Sequence, residues 1–229
     1  NRMDNLQQQL ATGRRVSKPS DDPVAISFAL RYRSEIGMNE QHQRNVDDSL
    51  SWLSYTDTLL DQAGNVLHRA RELAVQGANG TNPEEAMNSI KSEMEQLYDQ
   101  MVSIANSKFN GKYVFNGQKT DIEPYNDPDN ARMTQTDPGK IEFEIGAGVK
   151  LAINVTGEEV FGPASGDNVF AVLQDLVTSL GDNDHEAVSN LIGKLDDSLD
   201  AFLAVRADIG AKVNRVELAE SRLQDIDIN

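Results

Sequence analysis

The chain has 229 residues, of which 38% are hydrophobic and 25% charged, a composition typical of a folded protein. Its formal net charge of −16 would repel nucleic-acid phosphates and anionic lipid, so neither is an expected partner. Cysteine is absent, which excludes disulfides and thiolate metal sites, and the sequence has no run of about 18 apolar residues that could span a bilayer.

A short helix and a loop are predicted first. Apolar residues recur at helical spacing from Met3 to Leu10, which predicts a helix that ends near Gly13 and in which the chain already begins. The charged, proline-containing stretch that follows predicts a loop. Asp22 is the expected N-cap of the next helix, with Pro23 at the first helical position.

A long helix is predicted from Val24 to Gln76, where no proline occurs. At 1.5 Å per residue it would be roughly 80 Å long, so the protein is expected to be a rod. Two apolar stripes predict that this helix packs against more than one neighbour. The first stripe is Val46, Leu50, Leu53, Leu60, Ala63, Leu67, Ala70 and Ala74, and the second is Trp52, Leu59, Val66 and Leu73.

A chain reversal and a return helix are predicted next. Residues 77–83 contain three glycine or proline positions and an Asn-Gly pair, which indicate a turn. Apolar residues then follow at alternating intervals of three and four, a pattern that predicts an antiparallel return helix. These residues are Met87, Ile90, Met94, Leu97, Met101 and Ile104.

The periodicity changes between residues 110 and 163. Segments 141–145 and 151–155 alternate between polar and apolar residues as strands do, and glycines and prolines punctuate the whole stretch. We predict a small β-rich insertion that interrupts the helical part and can be separated from it. Its hairpins are expected near 113–116, 131–145 and 150–160.

Two helices are predicted after the insertion. The first covers about 168–180, a break follows at Gly181, and Asp184 is the expected N-cap of the last helix. That helix carries a heptad seam formed by Val188, Ile192, Leu195, Leu199, Phe202, Arg206, Ile209, Val213, Val216, Glu220 and Leu223. Its polar members, Arg206 and Glu220, either lie at the edge of the seam with wet head groups or set the register against a partner helix.

No signature of catalysis or of metal binding is present in the sequence. His42, His68 and His185 are far apart and are predicted to be solvated surface residues. Motifs for nucleophile elbows, zinc proteases, phosphate loops and dinucleotide sites are missing. Asp127 and Asp129 have a loosely calcium-like spacing but lack the glycine and glutamate of an EF-hand loop. We therefore predict no enzymatic activity, no cofactor and no metal.

Three strings resemble the flagellin family, in the order in which the family carries them. Leu67 to Gln76 (LHRARELAVQ) and residues 78–82 resemble the end of the first long rod helix of flagellins. Residues 109–111 resemble the point where flagellins leave the rod for their outer domains. Residues 206–217 (RADIGAKVNRVE) resemble the C-terminal rod motif.

Two further strings resemble the hook–filament junction proteins (hook-associated protein 3) of this family more than the filament-forming flagellins. They are residues 13–25 (GRRVSKPSDDPVA) and residues 110–117 (NGKYVFNG). The resemblance implies a mainly α fold, an elongated bundle of long antiparallel rod helices with a small β-rich inserted domain. It divides the chain into N-terminal rod helices (1–110), a β-rich outer domain (111–166) and C-terminal rod helices that complete the bundle (167–229).

The resemblance also implies a structural role in the extracellular flagellum. The subunit would be exported through the flagellar secretion channel and would form a ring that joins hook to filament. Its implied partners are further copies of itself, the first hook–filament junction protein, flagellin, and the export chaperone with the secretion apparatus. Against the family's pattern, the outermost helices, which line the inner wall of the tube, are expected to be shortened in this sequence. Flagellin itself is the alternative, followed by a binding module carried on a helical stalk.

Two groups of residues are candidates for contacts. Opposite charges in the loop and the polar positions of the last seam predict subunit contacts through Arg14, Arg15, Asp21, Asp22, Arg206 and Glu220. Arg69 and Leu73 lie on the string that resembles the receptor-binding surface of flagellins, which implies recognition by innate immune receptors as a side hypothesis.

Overall fold

The computed structural model describes residues 7, 10, 11 and 22–228. Apart from residues 7, 10 and 11, which are helical, the helix predicted up to Gly13 lies outside the described residues, as does nearly all of the following loop. The described helices are α1 (Pro23–Gly77), α2 (Glu84–Ala105), α3 (Gly157–Phe161), α4 (Val169–Gly181) and α5 (His185–Ile228). The strands are β1 (Lys108–Phe109), β2 (Lys112–Tyr113), β3 (Glu142–Gly146) and β4 (Val149–Ala152), and Pro128–Met133 is a 3₁₀ helix.

The two longest helices, α1 with 55 residues and α5 with 44, lie antiparallel and form the rod. Both apolar stripes predicted on α1 are buried, apart from Leu50, which is half-buried. Three contacts along the rod define the register of α1 against α5. They are Arg71 with Asp196, Asp57 with Arg206, and Val46 beside Leu223. The predicted rod and its packing against more than one neighbour are therefore confirmed.

The return helix α2 and the helix α4 complete a bundle at one end of the rod. All six residues of the predicted α2 seam are buried, and α2 contacts both α1 and α4. Gly77, the last residue of α1, packs so closely that an added Cβ would lie 2.6 Å from Leu180 Cδ2. The start of α5 is capped as predicted, because Asp184 Oδ1 accepts a hydrogen bond from Ala187 N at 3.0 Å.

The inserted segment contains less strand than its alternation predicted. Two antiparallel hairpins are present among the described residues, β1–β2 and β3–β4. The hairpin near 131–145 is wrong, because that stretch opens with the 3₁₀ helix and only its last residues form β3. The hairpins near 113–116 and 150–160 are also wrong as placed, since β2 ends at Tyr113 and α3 occupies Gly157–Phe161.

The β3–β4 ladder ends at Asn154, one residue after Ile153 N donates to Ile141 O at 2.9 Å. The Asn154 side chain accepts a hydrogen bond from Ile141 N at 2.8 Å and donates one to Gly139 O at 3.0 Å, where a strand would use its backbone. Ile153 and Val155 are nevertheless buried. Alternation in this segment thus reports which side chains face the core, without requiring that the backbone joins a ladder.

An aromatic cluster joins the insertion to the rod. Phe161 of the insertion lies 5.2 Å from Phe115, 5.4 Å from Phe170 on α4 and 6.0 Å from Phe202 on α5, measured between ring centroids. Tyr125 packs on the same group, 4.7 Å from Phe170. The insertion that was expected to be separable therefore shares its core with two rod helices.

Candidate functional site

Arg206 links the two long helices through a pair of aspartates. Its Nε and Nη2 donate to the two carboxylate oxygens of Asp57 at 2.9 and 3.3 Å, and its Nη1 donates to Asp61 Oδ1 at 3.1 Å. Asp57 and Asp61 lie one turn apart on α1, so one guanidinium spans both. The hydrogen bond to Asp57 is the main reason why the pKa of Arg206 is raised above its ordinary value.

This geometry is compatible with both interpretations of Arg206. Its side chain is 34% exposed at the edge of the seam, and its bidentate contact fixes the position and angle of the fork against α1 of the same chain. A contact of Arg206 with a neighbouring subunit stays a prediction. Glu220 is half-buried beside Gln43, Val46 and Asp47, and within the described part of the chain it has no ion pair.

Among the predicted loop contacts only Asp22 lies within the described residues, whereas Arg14, Arg15 and Asp21 lie outside them. Asp22 Oδ1 accepts hydrogen bonds from Val24 N at 3.1 Å and Ala25 N at 3.0 Å. It is therefore the N-cap of α1, as its position before Pro23 predicted. A role in subunit contact stays a prediction for this residue.

The structure corrects the receptor hypothesis for one of its two residues. Arg69 is 44% exposed and bonds Glu93 Oε1 at 2.7 Å and Glu72 Oε2 at 2.8 Å. Leu73 is only 1% exposed and belongs to the bundle core. A receptor cannot contact its side chain while the bundle is folded, so Leu73 is wrong as a recognition residue.

Two of the three histidines are not the solvated surface residues that the sequence predicted. The His42 side chain is 14% exposed, and its Nε2 lies 3.6 Å from Glu144 Oε1 on β3. His185 Nδ1 lies 2.8 Å from Gly77 O, where α5 begins against the end of α1. Only His68 is exposed. His42 and His185 both contact residues that are distant in sequence, and helical spacing alone does not reveal such contacts.

The first part of α1 carries an apolar surface that the sequence analysis left unassigned. We call residues 23–38 the leading segment. Six of its large hydrophobic side chains are 43–66% exposed, namely Val24, Phe28, Leu30, Tyr32, Ile36 and Met38, whereas Ile26 is half-buried. The first buried hydrophobic residue of α1 is Val46. The signal was present in the sequence, since Val24, Phe28, Tyr32 and Ile36 follow each other at intervals of four.

A cleft of about 560 Å³ lies where α1 meets the inserted hairpins, and we call it the α1 cleft. Trp52 of α1 forms one wall, and its ring packs edge-on against Phe109 at 5.9 Å. Ile141 and Phe143 lie opposite. The Trp52 indole nitrogen is buried and has no hydrogen-bond partner among the described residues.

The polar rim of this cleft carries charges of both signs. Asp48 on α1, Glu142 on β3 and Lys112 on β2 line it, and none of the three has an ion pair within residues 22–228. Lys140, also at the rim, is paired with Glu159. Five of the thirteen residues that line the cleft are apolar and eight are polar or charged, so it presents an apolar strip within a polar surround.

The described helices include none that is both long and apolar enough to cross a membrane. Within the part of the chain that the structure describes, no three or more acidic or histidine side chains are grouped so that they could hold a metal ion.

Comparison with known proteins places this architecture in a family. A family model of the bacterial flagellin N-terminal helical region matches residues 1–120. The chain belongs to the flagellin family. Flagellar hook-associated protein 3 of Escherichia coli (strain K12) is 28% identical over 93% of this chain and 74% of its own length. Flagellin of Bacillus subtilis (strain 168) is 26% identical over 96% of this chain and 79% of its own length.

Solved structures distinguish the FlgL fold from the flagellin fold more clearly than sequence identity distinguishes the two kinds of relative. FlgL of Bacillus cereus superposes with a TM-score of 0.75 at 23% identity, over 90% of this chain and 98% of that one. The flagellar junction protein FlgL of Legionella pneumophila gives 0.71 at 18% identity, over 90% and 98%. Flagellin of Bacillus cereus gives 0.58 at 24% identity, over 79% and 88%. The fold of this flagellin-family chain is thus shared more fully with the FlgL structures.

Proposed function

We propose that this chain is the structural subunit of the ring that joins hook to filament in the extracellular flagellum. The observation that carries the proposal is the match in fold to a flagellar junction protein, which covers 90% of the chain with a TM-score of 0.71, whereas flagellin covers 79%. A flagellin subunit is the competing function, and the lower TM-score of 0.58 disfavours it.

The structure of the rod suits a mechanical task. Inter-helix ion pairs fasten α1 to α5 at Arg71–Asp196 and Arg206–Asp57, and α2 and α4 brace one end. Such pairs resist sliding of the helices along their axes, since sliding by one residue would break the bidentate contact of Arg206. A subunit between a flexible tube and a stiff one has to transmit torque without shearing internally. We infer a load-bearing role and no enzymatic activity.

The proposed partners are the copies beside it in the ring, the first junction protein on the hook side and flagellin on the filament side. Export through the flagellar channel, with a chaperone, belongs to the same proposal. Deletion of the gene followed by electron microscopy tests it. Hooks without filaments, together with flagellin released into the medium, are expected, and expression of the intact gene should restore filaments. Filament loss without flagellin in the medium would instead identify the chain as the filament subunit.

A further inference from the structure

Two features that have no partner among the described residues are complementary to each other. The leading segment is a helix with an exposed apolar stripe formed by Val24, Phe28 and Tyr32, which are 64%, 63% and 66% exposed. The α1 cleft has walls formed by Trp52, Phe109 and Phe143. We propose that the leading segment of one copy docks in the α1 cleft of a second copy.

The stripe fits the helix-in-groove mode of recognition. Residues at intervals of four lie on one helix face, so Val24, Phe28 and Tyr32 can enter a groove together. The cleft volume of about 560 Å³ falls within the range of roughly 300–1,000 Å³ that is typical of small-molecule sites, which leaves room for side chains of the stripe but not for the helix backbone. Two aromatic side chains are the anchors that most often dominate such contacts.

The charges beside the stripe match those at the rim of the cleft. Arg31 and Glu35 flank the stripe and form an exposed pair at 3.5 Å, with 77% and 59% of their side chains accessible. An exposed pair of this kind contributes little and can exchange partners. In the docked state Arg31 meets the carboxylates of Asp48 and Glu142, and Glu35 meets Lys112.

The helix itself requires the occupant to be a second copy. Leading segment and cleft wall lie on one uninterrupted helix, α1. Phe28 and Trp52 are therefore held roughly 36 Å apart at 1.5 Å per residue, and the segment cannot reach its own cleft. Because the two surfaces differ, the contact is heterologous, which generates a closed ring when the rotation between copies closes. This inference rests on the proposed ring function.

A single contact of this kind should be weak. Two aromatic side chains bury about 150–250 Å² each, below the roughly 800 Å² per partner of a standard interface. In a closed ring every copy would make this contact with both of its neighbours, which strengthens the assembly. The free protein should therefore show a transient encounter rather than a stable dimer, and the experiment has to trap it.

Cysteine cross-linking can trap this encounter, because the chain contains no cysteine. One preparation carries Ile36→Cys at the edge of the stripe, and a second carries Ser51→Cys, an exposed residue lining the cleft. When the two are mixed with a short bismaleimide, a mixed dimer should form at least tenfold faster than with Ser89→Cys, an exposed position on α2, in place of Ser51→Cys. Equal rates for the two positions would overturn the inference.

Charge exchange adds specificity to the result. Asp48→Lys combined with Glu142→Lys in the cleft partner should slow the cross-link, and Arg31→Glu in the segment partner should restore it. Trp52 is the only tryptophan, so its emission should change as the protein is concentrated and should stay constant in Phe28→Ala/Tyr32→Ala. Failure of restoration, or unchanged emission in the parent chain, would also count against the contact.

The outcome distinguishes this inference from the proposed function. If no preferential cross-link forms while gene deletion still yields hooks without filaments, the junction role stands and the docking contact is wrong. If the cross-link forms but deletion leaves filaments in place, the contact is real and belongs to a different assembly.

Discussion

The two parts of helix α1 contain similar residues and have opposite environments. From Val46 onward most of its leucines, valines and alanines are buried between α5, α2 and the insertion, with Val75 as an exposed exception. In the leading segment, side chains of the same kind are mostly exposed. The difference teaches that a helix can carry apolar residues for two purposes, one within the chain and one beyond it. Stability measurements on the free protein should separate the two.

Truncation of one apolar residue in each part should give the largest contrast. Leu60→Ala removes a side chain that is 1% exposed, and we expect it to lower the free energy of unfolding by about 2–5 kcal/mol because a cavity remains. Phe28→Ala should change it by less than about 0.5 kcal/mol, as is usual at exposed positions. Urea unfolding followed by circular dichroism measures both. A loss above 2 kcal/mol for Phe28→Ala would show that the segment is packed in the free protein.

Replacing a glycine by alanine should have opposite effects on stability in the two parts. At Gly77 an added Cβ lies 2.6 Å from Leu180 Cδ2 and 3.4 Å from Val188 Cγ1, so Gly77→Ala should destabilise by about 1–3 kcal/mol through overpacking. A Cβ added at Gly37 would have no neighbouring side chain or packed backbone within 4 Å. Gly37→Ala should therefore raise the free energy of unfolding by about 0.5–1 kcal/mol, because alanine favours the helix. Thermal melting of both variants against the parent chain gives the two signs. Equal effects would contradict the difference in packing.

Charge removal should give a smaller contrast of the same kind. Arg206→Ala breaks the contacts with Asp57 and Asp61, at 34% side-chain exposure, and should cost up to about 1 kcal/mol, less at high salt. Arg31→Ala removes only the exposed pair with Glu35 and should cost almost nothing. Melting temperatures at low and high salt test this. A salt-independent loss for Arg206→Ala would mean that packing of its stem, and not its charge, holds the helices together.

Alkaline pH should lower the stability of the packed region through ionisation of Tyr98. Near neutral pH this effect should be absent. Burial, followed by the nearby charge of Asp129, raises the pKa of Tyr98 to about 12. The unfolded chain ionises near pH 10, so this contribution to stability is complete below pH 10 and is lost as pH rises towards 12. Tyr98→Phe should flatten the decline of the melting temperature over this interval, with Tyr32→Phe as the exposed control. An unchanged slope in Tyr98→Phe would exclude this cause.

Much of the rod could be predicted from the sequence because its signals are local. The heptad positions of α2 and α5, and the caps at Asp22 and Asp184, depend on residues within one or two turns of each other. The strands between 131 and 160 were overestimated because alternation reports burial, and the Asn154 side chain replaces the ladder there.

Contacts between residues that are distant in sequence could not be predicted from local patterns. The aromatic cluster around Phe161 depends on the insertion folding back onto α4 and α5, and His42 depends on β3 passing over α1. Within the candidate site, Arg206 was singled out because a charge interrupts an apolar seam. Its aspartate partners, some 145 residues earlier, follow only from the register of the two helices.

The leading segment is expected to be exposed in the free subunit and covered in the flagellum. Because the chain has no cysteine, Phe28→Cys introduces a single reporter at a position that is 63% exposed. The most direct measurement is the rate of maleimide labelling at this position in the free protein and in isolated flagella that contain the variant. Rapid labelling of the free protein and strong protection in the flagellum are expected. Equal labelling rates in both states would contradict the account.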